Sequence, residues 1–236
     1  MKRVFLIHGW EGKPDNHWFP WLALELKADF SAHGGPASGW EVNAPQMPNA
    51  AEPKVSEWLS FLKDYVGRPD EETFFVGHSL GCITVARYLA KLSSDSPLIK
   101  GALPSSAGGI SKSSVSKTRP PSFSSRGGSA FGGRKGRIEI GGCVFVAGFS
   151  GCINVSEIKE FYELPFDPEK AKMHCDNFVM IFSDNDPYVP MEKSLEMARE
   201  LGAKTILERG KGHFTKGDGV TALPSALSAL LKMAAK

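Results

Sequence analysis

No run of apolar residues in this chain of 236 approaches the roughly 20 that a membrane-spanning helix needs. The first run, residues 4–7 behind Lys2 and Arg3, stops at His8-Gly9, too short for the apolar core of a secretory signal. Cysteine is scarce. Cys82, Cys143, Cys152 and Cys175 form no C-x-x-C pair and have no metal-ligand spacing with histidine. Redox-motif and structural-zinc readings therefore fall away, and no metal or cofactor is expected. Cys82 and Cys143 sit in apolar runs and read as small core residues. A reducing, cytoplasmic compartment is the expectation. Glycine is plentiful, yet Gly9-x-x-Gly12 lacks the third glycine of a dinucleotide fingerprint, and no G-x-x-x-x-G-K-[ST] occurs.

One stretch lacks acid altogether. Residues 101–137 hold seven Lys or Arg, no Asp or Glu, ten Ser and eight Gly. With a net charge of +2 overall and +7 here, the remainder carries −5 and is mildly acidic. Such a composition buries too little apolar surface to offset its ordering entropy, so it reads as a disordered insertion in a single domain spanning 1–236. Its plainest role is a solvated loop. No nucleic-acid partner is expected, and the chain names no protein partner.

What is present is a set of short runs apolar on both faces: residues 4–7, 74–76, 143–147 and 178–182, with 205–207 and a weaker 41–43 as further candidates. Continuous apolar character, rather than alternation, is what a parallel strand covered on both sides requires. Between them, Val55, Trp58, Leu59, Leu62 and Val66 recur at helical spacing. A helix entered near residues 16–20 carries Leu22, Leu24 and Leu26, another runs from Met191 to a stop at Gly202, and a last one spans 223–233. Strands alternating with helices predict an α/β fold, a doubly wound, mostly parallel sheet of five to six strands.

Gly77-His78-Ser79-Leu80-Gly81 lies between the 74–76 strand and a helical run from Cys82. A G-x-S-x-G at a strand-to-helix turn is the nucleophile elbow of an α/β-hydrolase fold. Glycines on both flanks remove the Cβ atoms that would collide across so tight a turn. A serine nucleophile needs a base to take its proton, a carboxylate to orient that base, and donors for the oxyanion. In this fold the acid and then the base follow the serine in the chain. His213, in Gly210-Lys211-Gly212-His213-Phe214 after the 205–207 strand, is the candidate base, on what reads as a mobile loop tip. The acid belongs after the 178–182 strand, in Ser183-Asp184-Asn185-Asp186-Pro187. Asp186 is favoured because Pro187 holds it extended. Asp184 is the alternative, and whichever does not serve reads as a turn cap.

Two backbone N–H groups should form the oxyanion hole: Leu80, after the serine, and Trp10, in the loop after the first strand. The Trp10 indole reads equally as floor of an acyl pocket or as core. His8 is expected to hold its loop by hydrogen bonding. His78 fills the variable elbow position and carries no assigned role, while His17, His33 and His174 read as surface residues. A haloalkane-dehalogenase reading fails, because its elbow needs an aspartate where this chain has Ser79.

Together His8-Gly9-Trp10, the elbow, Ala147-Gly148-Phe149, Ser183-Asp184-Asn185-Asp186-Pro187-Tyr188-Val189-Pro190 and Gly212-His213-Phe214 resemble the small serine hydrolases related to retinoblastoma-binding protein nine. The resemblance covers nearly the whole chain outside 101–137. It implies a compact hydrolase without a large cap or cofactor, acting on small carboxylic esters or amino-acid esters, with Ser79, Asp186 and His213 matching the triad. The basic insertion departs from the pattern, and no L-x-C-x-E motif for the retinoblastoma protein occurs, so the partner is not carried over. The alternative reading is a weak or inactive hydrolase scaffold that binds other proteins through its basic insertion. Acyl transfer to an acceptor other than water would use the same three side chains.

Overall fold

In the computed structural model, residues 1–32, 39–92 and 138–235 are described. The 101–137 segment, expected to be a disordered insertion, and His33 lie outside them. Six strands form one sheet: β1 (Arg3–Ile7), β2 (Glu41–Asn43), β3 (Thr73–His78), β4 (Gly142–Val146), β5 (Phe178–Phe182) and β6 (Lys204–Leu207), in spatial order β2-β1-β3-β4-β5-β6. Every neighbouring pair is parallel, with Leu6 opposite Val76, Val76 opposite Val144, and Val144 opposite Val179. All six apolar runs of the sequence became strands.

The continuous apolar character has a direct cause. Phe5, Ile7, Phe75, Cys143, Phe145 and Met180 point to one face, into a core shared with α2 (Val55–Val66), α3 (Leu80–Ala90) and α6 (Met191–Leu201). Val4, Leu6, Phe74, Val76, Val144 and Ile181 point to the other, against α1 (Phe19–Ala32) and α7 (Pro224–Ala234). The four central strands, β1, β3, β4 and β5, therefore bury both their odd and their even residues, while the edge strands β2 and β6 stay partly exposed. The helix stop read at Gly202 holds: its φ is 65°, and its N–H closes the α6 end on the Ala198 and Arg199 carbonyls.

Two short elements, a 3-10 turn and the helix it enters, escaped the sequence reading. The turn (Ser156–Ile158) runs into α4 (Lys159–Glu163), followed by α5 (Pro168–Lys172). Arg87 of α3, itself buried, donates from its guanidinium to the carbonyls of Phe161, Leu164 and Pro165. A cation thus fastens α4 and the turn after it to α3. His174 is buried rather than on the surface, because the chain entering β4 packs across it. Its Nδ1 lies 2.7 Å from the Ile138 carbonyl, and its own carbonyl accepts from the Ile140 N–H. Among the described residues, no helix is long and apolar enough to cross a membrane.

The chain winds outward from β1 in both directions, to β2 on one side and to β3 through β6 on the other. At such a switch point the loops leaving β1 and β3 part and leave a crevice at the carboxyl ends of the strands.

Candidate active site

Ser79 sits in that crevice, between the last residue of β3 and the first of α3. Its backbone is at φ 54°, ψ −120°, a conformation that costs a non-glycine residue about 1–3 kcal/mol. The fold holds it there from both sides. The Ser79 N–H donates to the Val146 carbonyl of β4 at 2.8 Å, and the Ser79 carbonyl accepts from Cys82. Gly81 lets α3 approach β1, since a Cβ there would overlap the Ile7 carbonyl. Leu80 is the first residue of α3, so its N–H has no partner within the helix and lies at the positive end of the helix dipole.

The loop after β1 closes over the serine. A Cβ on Gly9 would stand 3.0 Å from Ser79 Cβ and 3.4 Å from its Oγ, so only glycine permits this approach. His8 holds that loop, as expected. The Met47 N–H donates to His8 Nε2 at 3.0 Å, so Nδ1 carries the hydrogen and donates to the Gly9 carbonyl at 2.8 Å. Burial pushes the His8 pKa down, with the Gly9 bond opposing. The Trp10 indole, read from sequence as pocket floor or as core, stands between the two. It lines the cavity beside the serine, packs against the core, and is anchored by an N–H bond to the Ala51 carbonyl at 2.9 Å.

The structure brings Asp186 and His213 together. Asp186 Oδ2 lies 2.8 Å from His213 Nδ1, with the carboxylate side chain 2% exposed and the imidazole 10%. The other carboxylate oxygen accepts from the Tyr188 and Val189 N–H groups, both at 2.9 Å. A carboxylate only accepts, so Nδ1 carries the hydrogen and Nε2 is the lone-pair nitrogen of the neutral ring. Asp184 faces elsewhere: it accepts from the Gly210 N–H at 2.8 Å and pairs with Arg209.

The His213 loop is tied down residue by residue rather than swinging free at its glycines. Lys211 N–H donates to Ser183 Oγ, Gly212 N–H to Asn185 Oδ1, and the His213 and Thr215 N–H groups to Asp218 Oδ2. Burial raises the Asp218 pKa, but bonds from the Thr215 hydroxyl and the Thr215 and His213 N–H groups outweigh it and hold the carboxyl below its ordinary value. Two histidines given no site role by sequence also reach this loop. His17 lines the cavity wall rather than the surface, and its Nδ1 accepts from the Lys216 N–H at 3.0 Å. His78 is buried and its Nε2 lies 2.9 Å from the His213 carbonyl. Burial and the neighbouring His213 push both imidazoles' pKa values down, that of His78 far down. Neither showed in the sequence, because each acts on main-chain atoms that no motif records.

The cavity holding Ser79 and His213 has a volume of about 290 Å³, at the lower end for small-molecule sites. Its apolar wall is Ile153, Val155, Ile158 and Val189; Asn16, Lys13 and Thr215 stand on the polar side.

The profile of the serine hydrolase family matches residues 4–124 and 129–232. The chain belongs to the serine hydrolase family. It is similar to YdeN of Bacillus subtilis (strain 168), which is named as a hydrolase: 27% identity over 224 residues, 94% of this chain and 91% of that one. It also resembles the serine hydrolase RBBP9 of Rattus norvegicus, at 22% identity over 84% of this chain and 77% of that protein. The resemblance drawn from the sequence motifs is borne out. The crystal structure of the B. subtilis ydeN gene product matches over the whole of both chains, with a TM-score of 0.75 and 26% identity. Est1E from Butyrivibrio proteoclasticus, solved with ferulic acid bound, shares the fold at a TM-score of 0.60 and 12% identity, over 100% of this chain and 90% of that one. The protein is an enzyme of the serine hydrolase class with an α/β-hydrolase fold, and the described residues form no large cap.

Proposed function

We propose that this hydrolase cleaves small carboxylic esters, amino-acid esters among them, through an acyl-enzyme on Ser79. The observation that carries the reading is the buried 2.8 Å pair of Asp186 and His213, whose imidazole lines one small cavity with a serine in strained backbone. Ser79 Oγ attacks the ester carbonyl while His213 Nε2 takes its proton. The tetrahedral oxyanion is met by the N–H groups of Leu80 and Trp10, and His213 returns the proton to the leaving alkoxide. Water then repeats the sequence on the acyl-enzyme and releases the acid. Asp186 keeps the imidazole in the tautomer with Nε2 unprotonated and stabilises the imidazolium as it forms. The cavity's size and its Ile153–Val155–Ile158 wall favour a short apolar acyl group over a long chain.

A fluorophosphonate tests the reading directly. Wild-type protein should carry one adduct, on Ser79, and hydrolyse short-chain p-nitrophenyl esters. Ser79→Ala should fold and be inert. Folded wild-type protein that takes no adduct would leave the fold as an interaction scaffold, and product mixtures dominated by acyl transfer to added alcohol would make it a transferase.

A further inference from the structure

We propose that His78, the variable residue of the elbow, is a positioning residue that holds the main chain of His213 in register with the serine beside it. The inference rests on the hydrolase reading above and adds to it a residue that touches neither substrate nor reacting atoms. A carbonyl oxygen only accepts, so at 2.9 Å from the His213 oxygen His78 Nε2 must be the protonated ring nitrogen. The bond spans 135 residues of sequence and ties the end of β3 to the loop beyond β6.

The surroundings fix that ring. Trp18 and His17 stand against it edge-on, at centroid distances of 6.1 and 5.4 Å, and His213 lies tilted at 5.0 Å on its other side. The chargeable groups facing it are all imidazoles, His8, His17 and His213, so no carboxylate draws a second proton onto His78. An uncharged donor suits this place, because a fixed cation 5 Å from His213 would oppose formation of the imidazolium during catalysis. The grip is on a backbone oxygen, so it sets where residue 213 sits whatever its side chain does. Asp186 sets the ring's rotation, His78 the height of the backbone that carries it, and Ser79 follows His78 by one peptide bond. Nucleophile and base are thereby referred to a common point at the end of β3. The remaining tethers of this loop come from the loop itself, from residues 183–185, or from His17.

The test uses the full chain and two variants, with turnover of a short p-nitrophenyl ester and the rate of fluorophosphonate labelling as readouts. His78→Phe keeps the ring and removes the donor, and kcat should fall by roughly 10–100-fold with KM nearly unchanged, since misplacement of about 1 Å is worth that much. Labelling should slow in step. His78→Gln puts an amide N–H near the Nε2 position and should recover most of the loss, which a simple packing role would not. A folded His78→Phe variant with wild-type kcat, or a loss that His78→Gln fails to restore, overturns the proposal. Should His78→Phe not fold, ¹⁵N NMR of the wild-type imidazoles decides it: His78 must keep Nε2 protonated and Nδ1 bare between about pH 5 and pH 9, and a ring titrating like a free histidine overturns the assignment. Wild-type protein without adduct on Ser79 would instead remove the hydrolase reading itself. Equal labelling of wild type and His78→Phe would remove only the role of His78.

Discussion

Asp184 and Asp186 are two residues apart in one loop, and sequence ranked them by the proline after Asp186. The structure separates them by what each accepts: the imidazole N–H for Asp186, the main chain of Gly210 for Asp184. Asp186→Asn should reverse the tautomer preference of His213 and lower kcat by roughly 10³–10⁴-fold. Asp184→Asn should cost far less, and the converse pattern would exchange their roles. Ser79, His213 and Asp186 could be singled out as candidates because chemistry fixes the types and order that such a site requires. His78 and His17 could not, since a side chain gripping backbone leaves no trace in spacing. His78 also has a measurable effect on stability. Its folded pKa lies well below the ordinary 6.5 because of burial and then His213. Below pH 6.5 the unfolded chain therefore takes up a proton that the folded one refuses. Stability is unaffected above that pH and falls by about 1.4 kcal/mol per unit beneath it. His78→Gln should flatten the acid limb of a Tm–pH profile; an unchanged slope would show that the native ring is charged.

At the scale of elements, all six strands were readable from apolar runs, and the long helices from their spacing. The 3-10 turn and α4 were not. Five residues, Lys159–Glu163, are too few to show a helical period, and what holds them is a guanidinium from another element. Arg87→Met should leave three carbonyls without their donor and destabilise the fold by about 2–4 kcal/mol, a Tm loss of roughly 5–15 °C. A melt within 2 °C of wild type would show that the segment is held otherwise. Ile158 of the 3-10 turn, with Ile153 and Val155 just before it, lines the cavity, so under the proposed ester chemistry this stretch should set acyl preference. Val155→Ala should raise kcat/KM for a longer acyl chain over acetyl by about tenfold, as a series of p-nitrophenyl esters would show.

Across the whole molecule, the described residues 1–32, 39–92 and 138–235 belong to one compact unit, and every side chain proposed for catalysis belongs to it. The basic 101–137 stretch, read by composition as an insertion, contributes none of them. Replacing it with a flexible Gly/Ser linker of equal length should preserve adduct formation on Ser79 and the ester rate within a factor of about three, since solvated loops carry little of a fold's stability. A protein that no longer labels would tie that stretch to the site. Architecture was recoverable at this scale because burial on both faces of a sheet dictates composition. Cavity shape was not, because it arises where separate loops meet.

The tethers on residues 210–216 have an evolutionary corollary. They clasp peptide groups, so the letters at exposed positions such as 211 and 216 are free to drift through any residue that keeps its amide hydrogen. Proline alone is barred there. Apart from His213 and the two glycines, selection on this loop should thus fall mainly on residues outside it, and a library randomised at 211 and 216 should return active clones of every composition save that one.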